Sequence, residues 1–599
     1  MPIRALPLRP VLLLCFLWSV SGVAQALQLK AIELTGVDEE MAANARAHLA
    51  LEQLDPARRA TLSEGRLAFY LRTAPKEIRE GLEPYGYYDA EVTPVLLREG
   101  EAVTVRFDIA LGAPVRVRHL AVGIDGAAES DPEVKALLEN FRPQQNEVFH
   151  HGIYETSKAG VSRLLGDRGY FDAELAQHRV EVTRAQHAAD IALAWRSGDR
   201  YRLGAATFEG QQFEPGLLDK LVPWKIGEPY DQARLLRLQQ SLVDLDYFNA
   251  VSVTPEPGKA RDGQVPIKIA LAPAKRSIYS AGLRYGTDSG AGVSARVERR
   301  WMNRRGHKAL IDINLAQNKS DATAQYRIPA FKWLDGWYAI SASARSEQIE
   351  DSKTEYVELS ATRSGRWHNW NLLAGVTFKR ERYDEVANVL FGTYGYSTLV
   401  YPSLWAQWKE ADDPVYPRHA KGLTVEVRGG SRALGSDVDF LQARVEGRYI
   451  RAFGADNRLL LRGELGSIAS GDFDLLPPSQ RFYAGGDKSV RGFGYKEIGQ
   501  HFGNVVIERD GRTLINPVVG GKHLAVASVE FEHMFTPTWG MAVFADAGDA
   551  YDKKFQAAFA IGAGLRWRSP VGPVRLDIAR GDQDDRQTLR LHLVIGPDL

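Results

Sequence analysis

The chain lacks a disulfide framework, a net charge of either sign and, beyond its N-terminus, any long apolar run. Its only cysteine, Cys15, lies in Met1 to Ala26, where Arg4 and Arg9 precede the apolar "VLLLCFLWSV" and the small-residue ending Ala24-Gln25-Ala26. That order is the signature of a secretory signal peptide, so residues 1–26 are read as removed and the mature chain as free of cysteine. Lysine and arginine number 75 against 75 acidic residues, which excludes the basic footprint of a nucleic-acid binder. Without a further run of about 18 apolar residues a transmembrane helix is not expected. A transmembrane β-barrel is not excluded, because its alternating strands keep mean hydropathy low, as the value of -0.28 here permits.

Catalytic signatures are missing too. "GGDKS" from Gly485 breaks the order of a phosphate loop at Asp487 and leads into no helix. Ser397 in "GYSTL" lacks the second glycine of a nucleophile elbow. His150 and His151 are adjacent, not spaced to share a metal from one helix face. Asp412 and Asp413 stand beside Pro414 and Pro417, which reads as a turn and not an acid/base pair. No catalytic residue, metal site or cofactor is assigned.

What is present falls into two halves. From Leu27 to about Ala274, "GYYDAEVTP" (Gly86), "GYFDAELAQ" (Gly169) and "DYFNAVSVTP" (Asp246) recur at intervals of about 80 residues, each after an amphipathic helical segment and before alternating strands. Each unit opens on a strand ending in Gly36, Gly126 or Gly210. The order β-α-α-β-β, three times, predicts three tandem α+β modules at residues 27–113, 114–199 and 200–274. Tyr87, Tyr170 and Tyr247, in equivalent places, are read as fillers of three small cores.

From residue 275 to 599 the period becomes 2, in about 16 segments of about ten residues. An even set of such strands, with no helices between them, predicts an all-β antiparallel transmembrane barrel, since lipid cannot satisfy an open sheet edge. Aromatics near strand ends, among them Trp301, Trp337, Tyr338, Trp539 and Trp567, are expected to form interfacial girdles.

One connection, near residues 469–521, is far longer than a hairpin needs and holds "RFYAGGDKSVRGFGYKEIG". Folded into the lumen, its Arg491 requires anionic partners. Alternation points Glu530 and Glu532 inward from "ASVEFEHMF", and Phe544, Asp546 and Gly548 inward from "MAVFADAGD"; Gly562 and Gly564 are expected to leave room for the loop. Whether Arg491 prefers Glu530 or Asp546 stays open. The first strand, with Ile278 and Tyr279, and the last, with Leu591, Leu593 and Pro597, are expected to meet in a lateral seam that Pro597 weakens.

"SVRGFGY", containing Val490, Arg491, Gly492 and Phe493, resembles the Val-Arg-Gly-Phe/Tyr loop motif of the outer-membrane assembly and translocation superfamily, in which periplasmic POTRA domains precede a 16-stranded barrel. The resemblance implies a loop arginine latched in the lumen against a Phe-x-Asp-x-Gly strand, matched by Phe544, Asp546 and Gly548, with Glu530 on the preceding strand. It also implies a periplasmic turn at Asp412, Asp413, Pro414 and Pro417, where "HAKG" departs from the usual short ending. Three modules and the ending "VIGPDL" are similar to the outer-membrane subunit of the translocation and assembly module. That branch implies outer-membrane location, unfolded outer-membrane protein and autotransporter clients, and a TamB-like inner-membrane-anchored partner docking on the POTRA modules. A two-partner secretion transporter, a general outer-membrane assembly protein and a passive pore are the alternatives.

Overall fold

The computed structural model describes residues 28–55, 58–59, 62–99, 102–331, 336–349, 352–384, 394–503, 506–509, 512–515, 517–569, 572–583 and 586–595. The signal-peptide reading and Pro597 lie outside these residues.

The first module runs β1 (Gln28–Thr35), α1 (Glu39–His48), α2 (Glu64–Leu82), β2 (Glu91–Glu99) and β3 (Ala102–Ala110), with sheet order β1-β3-β2 and β1 parallel to β3. The second repeats it with β4 (Arg116–Asp125), α3 (Pro132–Glu139), α4 (His151–Asp167), β5 (Glu174–Thr183) and β6 (Ala188–Arg196), in the order β4-β6-β5. Helix starts follow from capping side chains: Asp38 accepts from the Met41 N–H, Ser63 from Arg66 and Asp131 from Glu133. The third has β7 (Arg202–Glu209), α5 (Gln232–Asp244), β8 (Phe248–Pro255) and β9 (Gln264–Pro273), in the order β7-β9-β8. Its first expected helix is reduced to one 3-10 turn, Leu218–Leu221. Pro215, Gly216 (φ 84°) and Pro223 leave no room for more.

The repeated aromatic pair divides its work. Tyr170 and Tyr247 are buried, while Tyr87 is half-buried against its own module's core. The second aromatic of the pair turns to the next module: Tyr88 joins the second module's core, and the Phe171 ring lies 4.8 Å from Tyr230. Ahead of each pair the backbone takes positive φ, at Gly86 (90°), Gly169 (89°) and Asp246 (54°). Asp246 tolerates this conformation and uses its carboxylate to hold Arg300 at 2.8 Å.

The Ala206–Pro223 and Leu236–Thr254 parts of the third module belong to the same compact unit as the barrel. Phe213 packs on Trp301 and Tyr247 on Trp337, with Lys308 over both the Tyr247 and Trp337 rings. Trp301 and Trp337, expected in a girdle, thus pack against the module instead. At other strand ends the girdle reading fits better: Trp539 and Trp567 are cross-strand partners, stacked at 5.4 Å with exposed outer surfaces.

Sixteen antiparallel strands form one sheet in chain order, from Ser277–Gly286 to Arg586–Ile595. Alternation sets their faces: in Trp539–Tyr551, Met541, Val543 and Ala545 point out while Ala542, Phe544 and Asp546 are buried. The long connection between strands Asn457–Ala469 and His523–Met534 carries two 3-10 turns, Phe473–Leu475 and Pro478–Gln480, and a small hairpin, Val506–Arg509 with Arg512–Ile515, which alternation did not announce. It has a core of its own: Leu476, Phe482, Val490, Phe493 and Ile498 are buried against wall residues such as Tyr401, Leu524 and Val526.

Candidate functional site

Arg491 is carried to the barrel wall by a chain with positive φ at Gly485, Gly486 and Gly492. Gly492 is irreplaceable by size as well as by φ (93°), since a Cβ there would stand 2.8 Å from the Gly581 nitrogen. The Arg491 backbone N–H donates to Asp546 Oδ2 at 3.1 Å. Its guanidinium spans the same carboxylate, with Nε at 2.8 Å and the second contact at 3.0 Å, the fork-on-fork geometry that only arginine makes. Another guanidinium nitrogen donates to Glu530 at 2.6 Å and to Asp577 at 3.1 Å. The Phe544 ring lies 3.3 Å beneath the guanidinium. Arg491 thus takes Glu530 and Asp546 together, and Asp577 as well.

Arg566 brings a second cation to these carboxylates. It bonds Glu530 at 2.7 Å and pairs with Asp577, while Arg458 forks onto Glu532 with both contacts at 3.0 Å. Three arginines alternate with four carboxylates, so none of these buried charges is left alone. Ser528 caps the cluster by donating to Asp546 at 2.6 Å. Asp577 was legible as inward-facing from "PVRLDIAR", but nothing in one strand's alternation says that it reaches a loop residue. Gly562 and Gly564 do not make room for the loop: a Cβ there would strike the Phe544 ring and the Asp577 carboxylate, respectively. The wall's own side chains fill that space. Loop aromatics lie instead over Gly581 (Phe493) and Gly466 (Phe482). Gly548 sits tightly against Val526 of the neighbouring strand, and Val490 and Phe493 are buried in the loop core.

The opposite wall holds the loop as well. Glu347 accepts from the Tyr495 hydroxyl at 2.7 Å and from Lys496 at 3.1 Å, while Ser479 is bonded by Lys379 and Glu381. Arg481 binds the loop to itself through the Leu476, Val519 and Asp474 carbonyls.

The turn after Ala411 is built by its two aspartates. Asp413 accepts from the Val415 and Tyr416 N–H groups, both at 2.7 Å, and Asp412 from Arg418 and His419 at 2.8 and 3.0 Å. Pro414 and Pro417 stiffen it, and the Pro417 carbonyl accepts from Arg458 at 2.9 Å. The Tyr416 ring is sandwiched between the guanidinium groups of Arg458 (3.4 Å) and Arg568 (3.5 Å).

At the seam the two boundary strands are out of step. The Leu593 N–H donates to the Thr287 hydroxyl at 3.3 Å, so among the described residues the last strand meets the first hairpin at its tip. Only Val594 and Ile595 of the described residues follow Leu593. Ile278 lies nine residues before Thr287, roughly 30 Å along an extended chain. Ile278 and Tyr279 therefore do not face Leu591 and Leu593, contrary to expectation, and among the described residues no backbone ladder joins the two strands. Residues 279–285 are exposed on both faces, whereas an interior strand alternates. A lumen cavity of about 900 Å³ reaches this edge, lined by Leu283, Arg284 and Tyr285 on one side and Leu593, Val594 and Ile595 on the other.

Comparison with known proteins agrees with this architecture. Residues 302–598 match the Omp85 superfamily domain, residues 31–111 a POTRA domain described as TamA domain 1, and residues 201–273 a POTRA model described as a surface antigen variable number repeat. The outer membrane protein assembly factor BamA of Nitratidesulfovibrio vulgaris is 22% identical over 512 residues, covering 82% of this chain and 62% of its own length. The chain thus spans about three-fifths of that relative. The crystal structure of BamA from Haemophilus ducreyi lacking POTRA domains 1-3 superposes with a TM-score of 0.65 at 16% identity, over 80% of this chain and 99% of that one. CdiB from Acinetobacter baumannii is more distant, with a TM-score of 0.44 at 14% identity over 80% of this chain and 90% of its own.

Proposed function

With the chain an Omp85 superfamily barrel of the outer membrane behind periplasmic POTRA domains, we propose that it assembles client β-barrel proteins, lending them the free edge of its first strand. The observation that carries this reading is the seam-facing edge itself, Ser277 to Arg284, without a described ladder partner and reaching the lumen cavity at Leu283 and Arg284. An unpaired edge offers a row of N–H and C=O groups to any extended segment, so affinity comes from the backbone and tolerates client sequence. Outward Tyr279 and Leu283 are 72% and 91% exposed, a lipid-side surface against which a client strand's apolar face packs. The buried, folded loop across the lumen speaks against a passive pore.

The TamA-type first POTRA domain and the three-module count support the translocation and assembly module branch, that is, a TamA-like protein. In that reading autotransporters are among the clients and a TamB-like partner docks on the POTRA modules. The Arg491 cluster is proposed as the latch that keeps the wall rigid while the edge works, and the Asp412–Pro417 turn as its periplasmic brace.

A photo-crosslinking residue at Gly282 or Leu283 should capture a client during its assembly, and the same residue at Leu359 on a central strand should not. Equal capture at both, or at neither, would remove the reading. Outer-membrane proteomics after deletion of the gene tests the branch: loss of autotransporters supports it, and an unchanged profile contradicts it.

A further inference from the structure

The lumen loop is attached unequally to the two sides of the seam. On the last strand it makes many bonds. The Gly492 N–H donates to His592 Nε2 at 2.9 Å, Thr588 donates its hydroxyl to the Gly492 carbonyl at 2.6 Å, and Arg590 pairs with Glu497 at 3.0 Å. Phe493 lies over Gly581 of the neighbouring strand. On the first hairpin, the polar ties among the described residues converge on one loop residue, Asp487. Its carboxylate accepts from the Thr287 hydroxyl at 2.7 Å, and its N–H donates to Asp288 Oδ2 at 3.0 Å.

These ties meet in a knot. Asp487 Oδ1 also lies 2.6 Å from His592 Nδ1, and Thr287 Oγ1 accepts from the Leu593 N–H. His592 Nε2 accepts a hydrogen bond from the Gly492 N–H, so in the neutral ring Nδ1 carries the hydrogen and donates to Asp487. With both nitrogens engaged, His592 has no lone pair to offer a metal, although Asp288, Asp487 and His592 lie close enough to hold one. The chemistry of the knot is that of a tie between strands.

We propose that Asp487 is a clasp holding the first hairpin to the loop and last strand, and that the seam opens by movement of the first hairpin while the last strand stays with the loop. This rests on the proposed function only for its purpose; the motion is a property of the barrel alone. Releasing the hairpin tip means breaking Asp487 from Thr287 and Asp288, together with the long 3.3 Å contact from the Leu593 N–H to Thr287. Releasing the last strand would require breaking the Gly492, Thr588 and Glu497 contacts together, with Arg491 behind them.

The test is double electron–electron resonance on the full chain in lipid nanodiscs, with labels on introduced cysteines in a Cys15-free mature chain. One pair joins Tyr285 to the central-strand position Leu359; the other joins Leu589 to Leu359. Asp487→Ala should add a longer distance component to the first pair and leave the second unchanged, with the open population rising about tenfold, as expected for loss of a charge-assisted hydrogen bond. Thr287→Val, which alters no charge, should act in the same direction; heat-modifiable mobility on gels checks that both variants are folded. Distances unchanged in both folded variants, or a shift in the Leu589 pair instead, overturn the clasp. A hairpin that opens as described while client assembly stays unaltered would leave the clasp standing and count against the assembly reading.

Discussion

The last barrel strand, Arg586–Ile595, is gripped from the lumen by Gly492 and Glu497, with Phe493 on the strand beside it, whereas the polar ties of the loop to the first hairpin, among the described residues, lie beyond the end of Ser277–Gly286, at Thr287 and Asp288. Both bound the same sheet. The difference teaches that the described contacts between the barrel's two ends run through the loop and side chains, not through a strand ladder. Among the described residues no ladder joins the two edges, and a folded loop holds the last strand while leaving the first available.

The sharpest way to break that contrast is to remove the grip. Arg491→Ala takes the forked guanidinium from Asp546 and leaves Glu530 and Asp577 with Arg566 alone, and losing one side of such a buried cluster costs about 3–5 kcal/mol. Barrel unfolding in urea should shift accordingly, and hydrogen exchange in the last strand should rise toward that of the first. Arg491→Lys should recover little, because lysine cannot fork onto Asp546.

Gly581→Val attacks the same grip without touching charge. A Cβ at 581 would approach the Phe493 ring to 2.5 Å, and overpacking of this kind costs about 1–3 kcal/mol. The expected readout is faster proteolysis within residues 485–500 in an otherwise folded barrel. At the other end of the wall, Arg568→Ala removes one face of the Tyr416 sandwich, worth about 0.5–2 kcal/mol. It should lower thermal stability slightly and leave the seam distances as they are.

The smallest effect serves as a control far from the seam. In the second module, burial works to raise the Asp131 carboxyl pKa, but hydrogen bonds from Arg168 and the Glu133 N–H, with Arg200 nearby, hold it below the ordinary range. A depressed carboxyl stabilises the folded state fully above the unfolded pKa, about 4, and loses that stabilisation as pH falls through the folded value. Hydrogen exchange in α4 should therefore rise below about pH 4, less so in Asp131→Asn, with the two barrel edges unaffected.

Much of this was readable from the sequence because it depends on local order. Period 2 marked the strands, the three Tyr motifs marked the modules, and inward Glu530 and Asp546 follow from the parity of Val529, Phe531 and Ala545. What alternation cannot carry is register across distant chain segments. Asp577 joining Arg491, the offset that sets Leu593 beside Thr287 instead of near Tyr279, and the knot at Asp487 all depend on how the sheet curls and how far the loop descends. The one-turn helix of the third module departs from the repeat for a different reason: Pro215, Gly216 and Pro223 break the helix that the repeat predicts.

The most direct measurement is residue-resolved hydrogen exchange on the barrel in nanodiscs without clients. The free-edge account predicts that amides of Ser277 to Arg284 facing the seam exchange orders of magnitude faster than those of the central strand Trp370–Tyr383, which is paired on both sides. Protection equal in the two strands would mean that the first strand has a ladder partner, and would contradict it.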